Sequence, residues 1–118
     1  MTERLLQFIW QYQYFNTNVL TTTDEQTVQV LHPGMYNTNQ GPDFLNAKVK
    51  VGNTLWAGNI EIHILSSGWD QHKHSADCNY NNVVLHVVWK DVPGLKLPFP
   101  TLELHNRVSK ILLKKFEN

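Results

Sequence analysis

The alternation of apolar and polar residues is most regular on the two sides of Gly52 and Asn53. Before this pair, apolar residues fill every second position from Leu45 to Val51. After it, one face of the predicted strand carries Trp56, Gly58, Ile60, Ile62 and Ile64, and the other carries Asn59, Glu61 and His63. A period of two residues is typical of a half-buried β-strand. Gly-Asn between two such strands favours a two-residue hairpin turn.

The remaining pattern predicts helices at 2–15 and 107–116, strands at 27–31, 83–89 and 101–105, and loops at 35–41 and 91–100. The segment 69–77 is a short helix or a compact loop. Because 83–89 is an almost continuous apolar run, we expect it to be an interior strand. These elements predict an α+β fold with a mixed, mainly antiparallel sheet and flanking helices.

The first predicted helix has an apolar stripe that includes Leu5, Leu6, Ile9 and Tyr12. Its aromatic density, which extends from Phe8 to Phe15, is also typical of a surface that stacks nucleic-acid bases. Packing of this helix against the sheet is the favoured interpretation. The tryptophans of the predicted strands are likewise interpreted as packing residues.

The length of 118 residues predicts one domain over 1–118. Acidic and basic residues balance to a formal net charge of zero, so no global field attracts nucleic acid or an anionic membrane. Cys78 is the single cysteine, the first residues are not those of a signal peptide, and no apolar run is long enough to span a bilayer. We therefore expect a cytoplasmic protein without a membrane partner.

Asp43, Glu61 and His63 are the strongest candidates for a functional site. Glu61 and His63 are two residues apart in a strand and point the same way. Carboxylates suit Mg²⁺ or Mn²⁺, and an imidazole serves as a ligand or a base. A strict hairpin register places Asp43 on the other face, so a bulge near Gly41–Pro42 or Gly58 is required. The alternative is a solvated strand face beside a loop aspartate.

Three other groups have weaker signals. His72, His74 and Asp77 are either metal ligands supporting the first site or members of a polar loop. His86 in the apolar strand is typical of a hydrogen-bonded core histidine, with a supporting role in the site as the alternative. Lys48 and Lys50 are either a solvated strand face or contacts to nucleic-acid phosphates.

The motifs HPGMYNTNQGPDF, WAGNIEIHILSSGWDQHKH and YNNVVLHVVW resemble the opening region of a bacterial family described only as a domain of unknown function. The resemblance covers nearly the whole chain. Members of that family are several times longer, which implies that this chain corresponds to an N-terminal part whose partner is the remainder of its own longer protein. The family name implies no activity.

A second resemblance is to the PD-(D/E)xK nuclease superfamily, which implies a restriction-endonuclease-like fold. In that superfamily a helix precedes a three-stranded antiparallel meander, and a helix and another strand follow. Its catalytic Asp follows Pro at a strand start, and its (D/E)-x-K triplet lies on the hairpin partner. Pro42-Asp43 and Glu61-Ile62-His63 fall at these positions, with His63 in place of the lysine.

Together these features predict divalent-metal-dependent hydrolysis of nucleic acid. Asp43 and Glu61 would hold Mg²⁺ or Mn²⁺, and His63 would act as a base or a third ligand. A polar strand face also predicts that Glu61 is solvated, so that its removal has little effect on folding. The alternative is a non-catalytic interaction or structural module of a larger protein, which a broad exposed apolar patch would favour.

Overall fold

The computed structural model describes residues 1–71 and 82–116. Its elements are α1 (Glu3–Gln11), β1 (Val28–His32), β2 (Met35–Tyr36), β3 (Phe44–Val51), β4 (Thr54–Leu65), α2 (Gly68–Gln71), β5 (Val83–Lys90), β6 (Thr101–Glu103) and α3 (Lys110–Phe116). The predicted α+β class is confirmed. Among the described helices, none has the length and apolar content needed to cross a membrane.

The strands form one mixed sheet in the order β1-β3-β4-β5-β6, and β2 also pairs with β3. The pairings of β1, β2 and β4 with β3 are antiparallel, whereas β5 is parallel to both β4 and β6. The strand β5 is interior, as predicted. It pairs with β4 on one side and β6 on the other, and its side chains Val83, Leu85, Val87 and Val88 are buried.

The predicted hairpin turn is present between β3 and β4. Val51 pairs with Thr54, and Gly52 has a φ of +59°, a conformation that glycine adopts without a steric penalty. Trp56 was interpreted as a packing residue on the face of Ile60 and Ile62, but unlike them it is only partly covered, with 47% of its surface exposed. The pairing of β4 with β5 begins only at Asn59, so at Trp56 the strand β4 pairs with β3 alone.

Helix α1 begins at its predicted cap, where Thr2 Oγ1 accepts from Leu5 N at 3.1 Å. Leu6, Ile9 and Trp10 are buried and pack against the sheet. The helix ends earlier than predicted, because Gln13 has a φ of +55° that no α-helix accommodates. The predicted stripe was wrong at Tyr12, which is 52% exposed, since Trp10 takes the core position instead.

Two other boundaries differ from the prediction. Met35 and Tyr36, which were expected in a loop, pair with Leu45 and Phe44 as the short strand β2. Helix α3 begins at Lys110 instead of Arg107. The guanidinium of Arg107 instead donates to backbone carbonyls of the loop after α1, those of Asn16, Asn18 and Val19. This tertiary contact fixes the residue outside the helix.

Candidate functional site

A β-bulge in β3 determines where Asp43 lies. Phe44 pairs with Ile60 and Ala47 pairs with Gly58, so two residues of β3 face one residue of β4. The bulge includes Asn46, whose φ of +59° is left-handed. Its backbone N–H donates to Asn59 Oδ1 at 3.1 Å. The required bulge therefore exists at 45–46 of β3, directly beside the pair of Ala47 with Gly58, one of the two predicted locations.

The shifted register brings Asp43 to Glu61. The two carboxyl groups are close enough for the charge of Asp43 and hydrogen bonding with it to raise the pKa of Glu61. The other contacts of Asp43 are to donors: Gln7 Nε2 lies 2.6 Å from Oδ1, and Ile62 N lies 2.8 Å from Oδ2. Gln7 of α1, Asp43 at the start of β3 and Glu61 of β4 therefore lie together.

Glu61 is buried, so its predicted solvation was wrong. The side chain is on the polar face of β4, but that face is covered at Glu61 and the residue is only 4% exposed. Burial raises the pKa of Glu61 to about 10, with further contributions from the charge and hydrogen bond of Asp43 and from the charge of Glu3. With this pKa, Glu61 is protonated at neutral pH.

Two histidines extend this polar group along the sheet. Nε2 of His63 lies 3.7 Å from Glu61 Oε1, longer than a hydrogen bond, and its Nδ1 lies 2.9 Å from His86 Nε2. One of these two ring nitrogens must carry the proton that joins them, which couples the tautomers of both rings. Both histidines are buried, at 3% and 0% exposure.

Apolar groups pack around the histidine pair. The ring centroids of Trp69 and Phe99 lie 6.3 Å and 5.6 Å from that of His86. Gly68 approaches so closely that an added Cβ would lie 2.7 Å from His63 Cδ2, which explains why glycine begins α2. This packing keeps the histidine rings out of bulk water.

The profile of one protein family matches residues 3–118. The chain belongs to the family described as "Protein of unknown function (DUF2851)". Comparison with curated proteins and with solved structures gave no match. The family assignment confirms the first resemblance drawn from the sequence motifs.

In this DUF2851 chain, Asp43, Glu61, His63 and His86 are brought together. Lys48 and Lys50 are exposed. Lys48 pairs with Ala57 and Lys50 with Leu55, so both lysines lie on the same face of the sheet as Glu61. The predicted residues His72, His74 and Asp77 lie outside the described residues.

The carboxylate oxygens of Asp43 and Glu61 are the kind of donor that a hard divalent ion prefers. Across residues 1–71 and 82–116, no group of three or more His, Cys, Asp or Glu side chains is arranged to hold a metal ion. Mg²⁺ commonly takes only one or two carboxylates from a protein and completes its shell with water and substrate phosphate. The Asp43–Glu61 pair meets that smaller requirement.

Gln7 and Glu3 are the site residues that sequence reasoning missed. They are one helical turn apart on α1, so they lie on the same side of the helix. A polar edge of this kind is ordinary for a surface helix. Nothing local to Gln7 indicates a contact with an acid that is 36 residues away in sequence.

Proposed function

We propose that this protein is a divalent-metal-dependent phosphodiesterase that acts on nucleic acid. The observation that carries the proposal is the bulge at Asn46, which holds Asp43 against Glu61 beside His63. A buried carboxyl group beside a second acid and a left-handed non-glycine residue both cost folding free energy. Such costs are typical of functional sites, where an otherwise unfavourable arrangement has a chemical use.

The order of elements supports a restriction-endonuclease-like fold. Helix α1 precedes the antiparallel meander β1-β3-β4, and α2 and the parallel strand β5 follow. Asp43 stands at the start of the second strand of this meander, and Glu61 and His63 lie on the third. These are the positions that the PD-(D/E)xK resemblance implies for the catalytic acids and the lysine.

In this proposal, Asp43 and Glu61 hold Mg²⁺ or Mn²⁺. A bound divalent ion would activate water and neutralise charge that develops on the phosphate. His63 replaces the superfamily lysine and acts as a base or as a ligand through Nε2, the ring nitrogen nearer Glu61. His86 holds the other nitrogen of His63 and so orients the ring.

Lys48 and Lys50 are proposed as phosphate contacts. Ala57, the partner of Lys48, is four residues before Glu61 in β4, a separation of about 13 Å along a strand. A backbone that crosses this face of the sheet would pass both lysines on its way to the acid pair. Such contacts position a substrate without reading its sequence.

The test compares metal binding and cleavage in isosteric variants. Wild-type protein is expected to bind Mn²⁺ in calorimetry and to cleave labelled DNA or RNA in its presence. Asp43→Asn and Glu61→Gln should abolish both activities, because each removes a carboxylate while it conserves side-chain shape. His63→Lys should retain metal binding.

Glu103→Gln is the matched control, because Glu103 also belongs to a Glu-x-His pair. Its Oε1 lies 3.4 Å from His105 Nε2, but both side chains are partly exposed. This variant should bind metal as wild type does. Wild-type protein that binds no divalent ion at millimolar concentration would refute the proposal.

A non-catalytic interaction module is the second candidate. A cleft of about 290 Å³ at the hairpin end of the sheet favours it, because this cleft is lined by the exposed Trp56 together with Val84, Phe99 and neighbouring apolar residues. Trp56→Ala should then disrupt an association of the protein, measured by sedimentation, while Glu61→Gln leaves that association intact. If Trp56→Ala leaves the association intact and Glu61→Gln disrupts function, the phosphodiesterase is supported.

A further inference from the structure

A groove of about 250 Å³ lies beside the outer surface of α1. It is lined by aromatic rings, two amides and one cation: Arg4, Gln7, Phe8, Gln11, Tyr12 and Tyr36. Its volume is below the roughly 300 to 1,000 Å³ of pockets for drug-sized ligands. The groove therefore suits one unit of a polymer that continues beyond it.

The aromatic rings of this surface are already assembled in the protein. The centroids of Phe8 and Tyr12 are 4.8 Å apart, and those of Tyr12 and Tyr14 are 5.8 Å apart with 27° between the planes. Tyr12, Tyr14 and Tyr36 are 52%, 45% and 40% exposed. Because Phe8, Tyr12 and Tyr14 brace one another, a planar ligand that stacks on Tyr12 causes little additional loss of side-chain entropy.

Gln7 connects the groove to the acid pair. Its amide nitrogen donates to Asp43 Oδ1 at 2.6 Å, and its amide oxygen accepts from the hydroxyl of Tyr36 at 3.3 Å. Tyr36 and Gln7 both line the groove. A ligand in the groove is thus one side chain away from Asp43.

The chemistry of the groove selects unpaired nucleic acid over duplex. Bases can stack on side chains only when they are not stacked within a double helix. Arg4 is the single cation among the lining residues, and the formal net charge of the chain is zero, so phosphate attraction alone is weak. Stacking on aromatic rings is the remaining source of affinity, and it tolerates any base.

We propose that this groove binds a single-stranded segment of nucleic acid by base stacking and presents it to Asp43. The inference rests on the proposed phosphodiesterase function and specifies its substrate as unpaired nucleic acid. Arg4 contacts a phosphate, Tyr12 and Tyr36 stack on bases, and Gln7, which contacts both Tyr36 and Asp43, connects the groove to the acid pair.

The test measures fluorescence anisotropy of a labelled oligothymidylate in EDTA, so that cleavage does not interfere. The wild-type protein should bind the single strand at least about tenfold more tightly than the same strand annealed to its complement. Tyr12→Ala should weaken binding roughly 5- to 100-fold, because one stacking contact is lost. Tyr12→Phe retains the ring and should bind as wild type does.

Trp56→Ala is the control for loss of an exposed aromatic residue outside the groove, and it should leave strand binding unchanged. Equal binding of duplex, an unchanged affinity of Tyr12→Ala, or no strand binding at all would overturn the proposal. Strand binding without Mn²⁺-dependent cleavage supports the groove but removes the catalytic function. Mn²⁺-dependent cleavage that survives Tyr12→Ala would support the catalytic function but remove the role of the groove.

Discussion

Glu61 combines two properties that oppose each other. It lies in a buried position where a charged carboxylate is unfavourable, and it is the residue proposed to hold a divalent cation as a carboxylate. Its proton resolves the conflict in the metal-free protein, because a neutral carboxyl group can donate to Asp43. A cation that replaced this proton would neutralise both acids at once.

The raised pKa of Glu61 predicts that stability falls with pH. The folded protein keeps this proton up to a pKa of about 10, whereas an unfolded Glu releases it near 4.5. Between these values the folded state binds more protons, so the free energy of unfolding decreases as pH rises. The contribution is at most about 1.4 kcal/mol per pH unit.

Glu61→Gln should remove this contribution. Urea denaturation of the metal-free protein at pH 5 and pH 8 is expected to show a loss of stability in wild type that is much smaller in the variant. At pH 8 the variant should be the more stable of the two, because its neutral amide is not subject to deprotonation. Equal slopes in both proteins would mean that Glu61 titrates normally.

The bulge in β3 is the decisive feature at the level of elements. A bulge residue with positive φ tolerates Asn far better than a β-branched residue. Asn46→Val should therefore destabilise the protein by about 1–2 kcal/mol in denaturation. It should also weaken Mn²⁺ binding, because the strand can regain a regular register only by moving Asp43 away from Glu61.

Asn46→Gly is the matched control for the bulge. Glycine accepts a φ of +59° without strain and leaves the backbone contact to Asn59 possible. This variant should keep metal binding and most of the stability. If Asn46→Val binds Mn²⁺ as tightly as Asn46→Gly, the bulge does not control the position of Asp43.

The sequence predicted the elements that depend on local patterns. Gly52 indicated the hairpin turn, and the apolar run of 83–89 indicated an interior strand. It also showed that Asp43 needs a bulge to reach Glu61 and gave a position near Gly58, although the bulged residues belong to the partner strand and include Asn46. Asn46 was the available signal, since Asn adopts left-handed φ more readily than most other residues.

The burial of Glu61 could not be predicted from alternation. A period of two assigns a residue to a face of the sheet, but not whether that face is covered. Phe99 and Trp69 lie over the neighbouring His86, and Phe99 is 38 residues from Glu61 in sequence, so this cover depends on tertiary structure. The contact of Gln7 with Asp43 also depends on tertiary structure, because the two residues are 36 positions apart.

At the scale of the whole molecule, the polar group connects a helix to the centre of the sheet. Hydrogen bonds and short contacts run from Gln7 through Asp43 and Glu61 to His63 and His86. An ion bound by the acid pair would therefore tie α1, β3 and β4 together. Ligand binding to a folded site stabilises the entire domain by mass action.

This connection gives a final prediction about metal, protons and stability. Because Glu61 must lose its proton to bind Mn²⁺, affinity should rise by up to about tenfold per pH unit below its pKa. Calorimetry in buffers of different ionisation enthalpy should then show about one proton released per ion. At ten times the dissociation constant, Mn²⁺ should add about 1.4 kcal/mol, a rise in Tm of about 6 °C.

At one fixed Mn²⁺ concentration, the rise in Tm should be larger at pH 8 than at pH 6, opposite in sign to the metal-free trend. Glu61→Gln should show no rise at either pH, and Glu103→Gln should follow wild type. Metal that stabilises the protein equally at both pH values, without proton release, would place its binding away from Glu61. The acid pair would then be a structural feature of the sheet, which favours the interaction module.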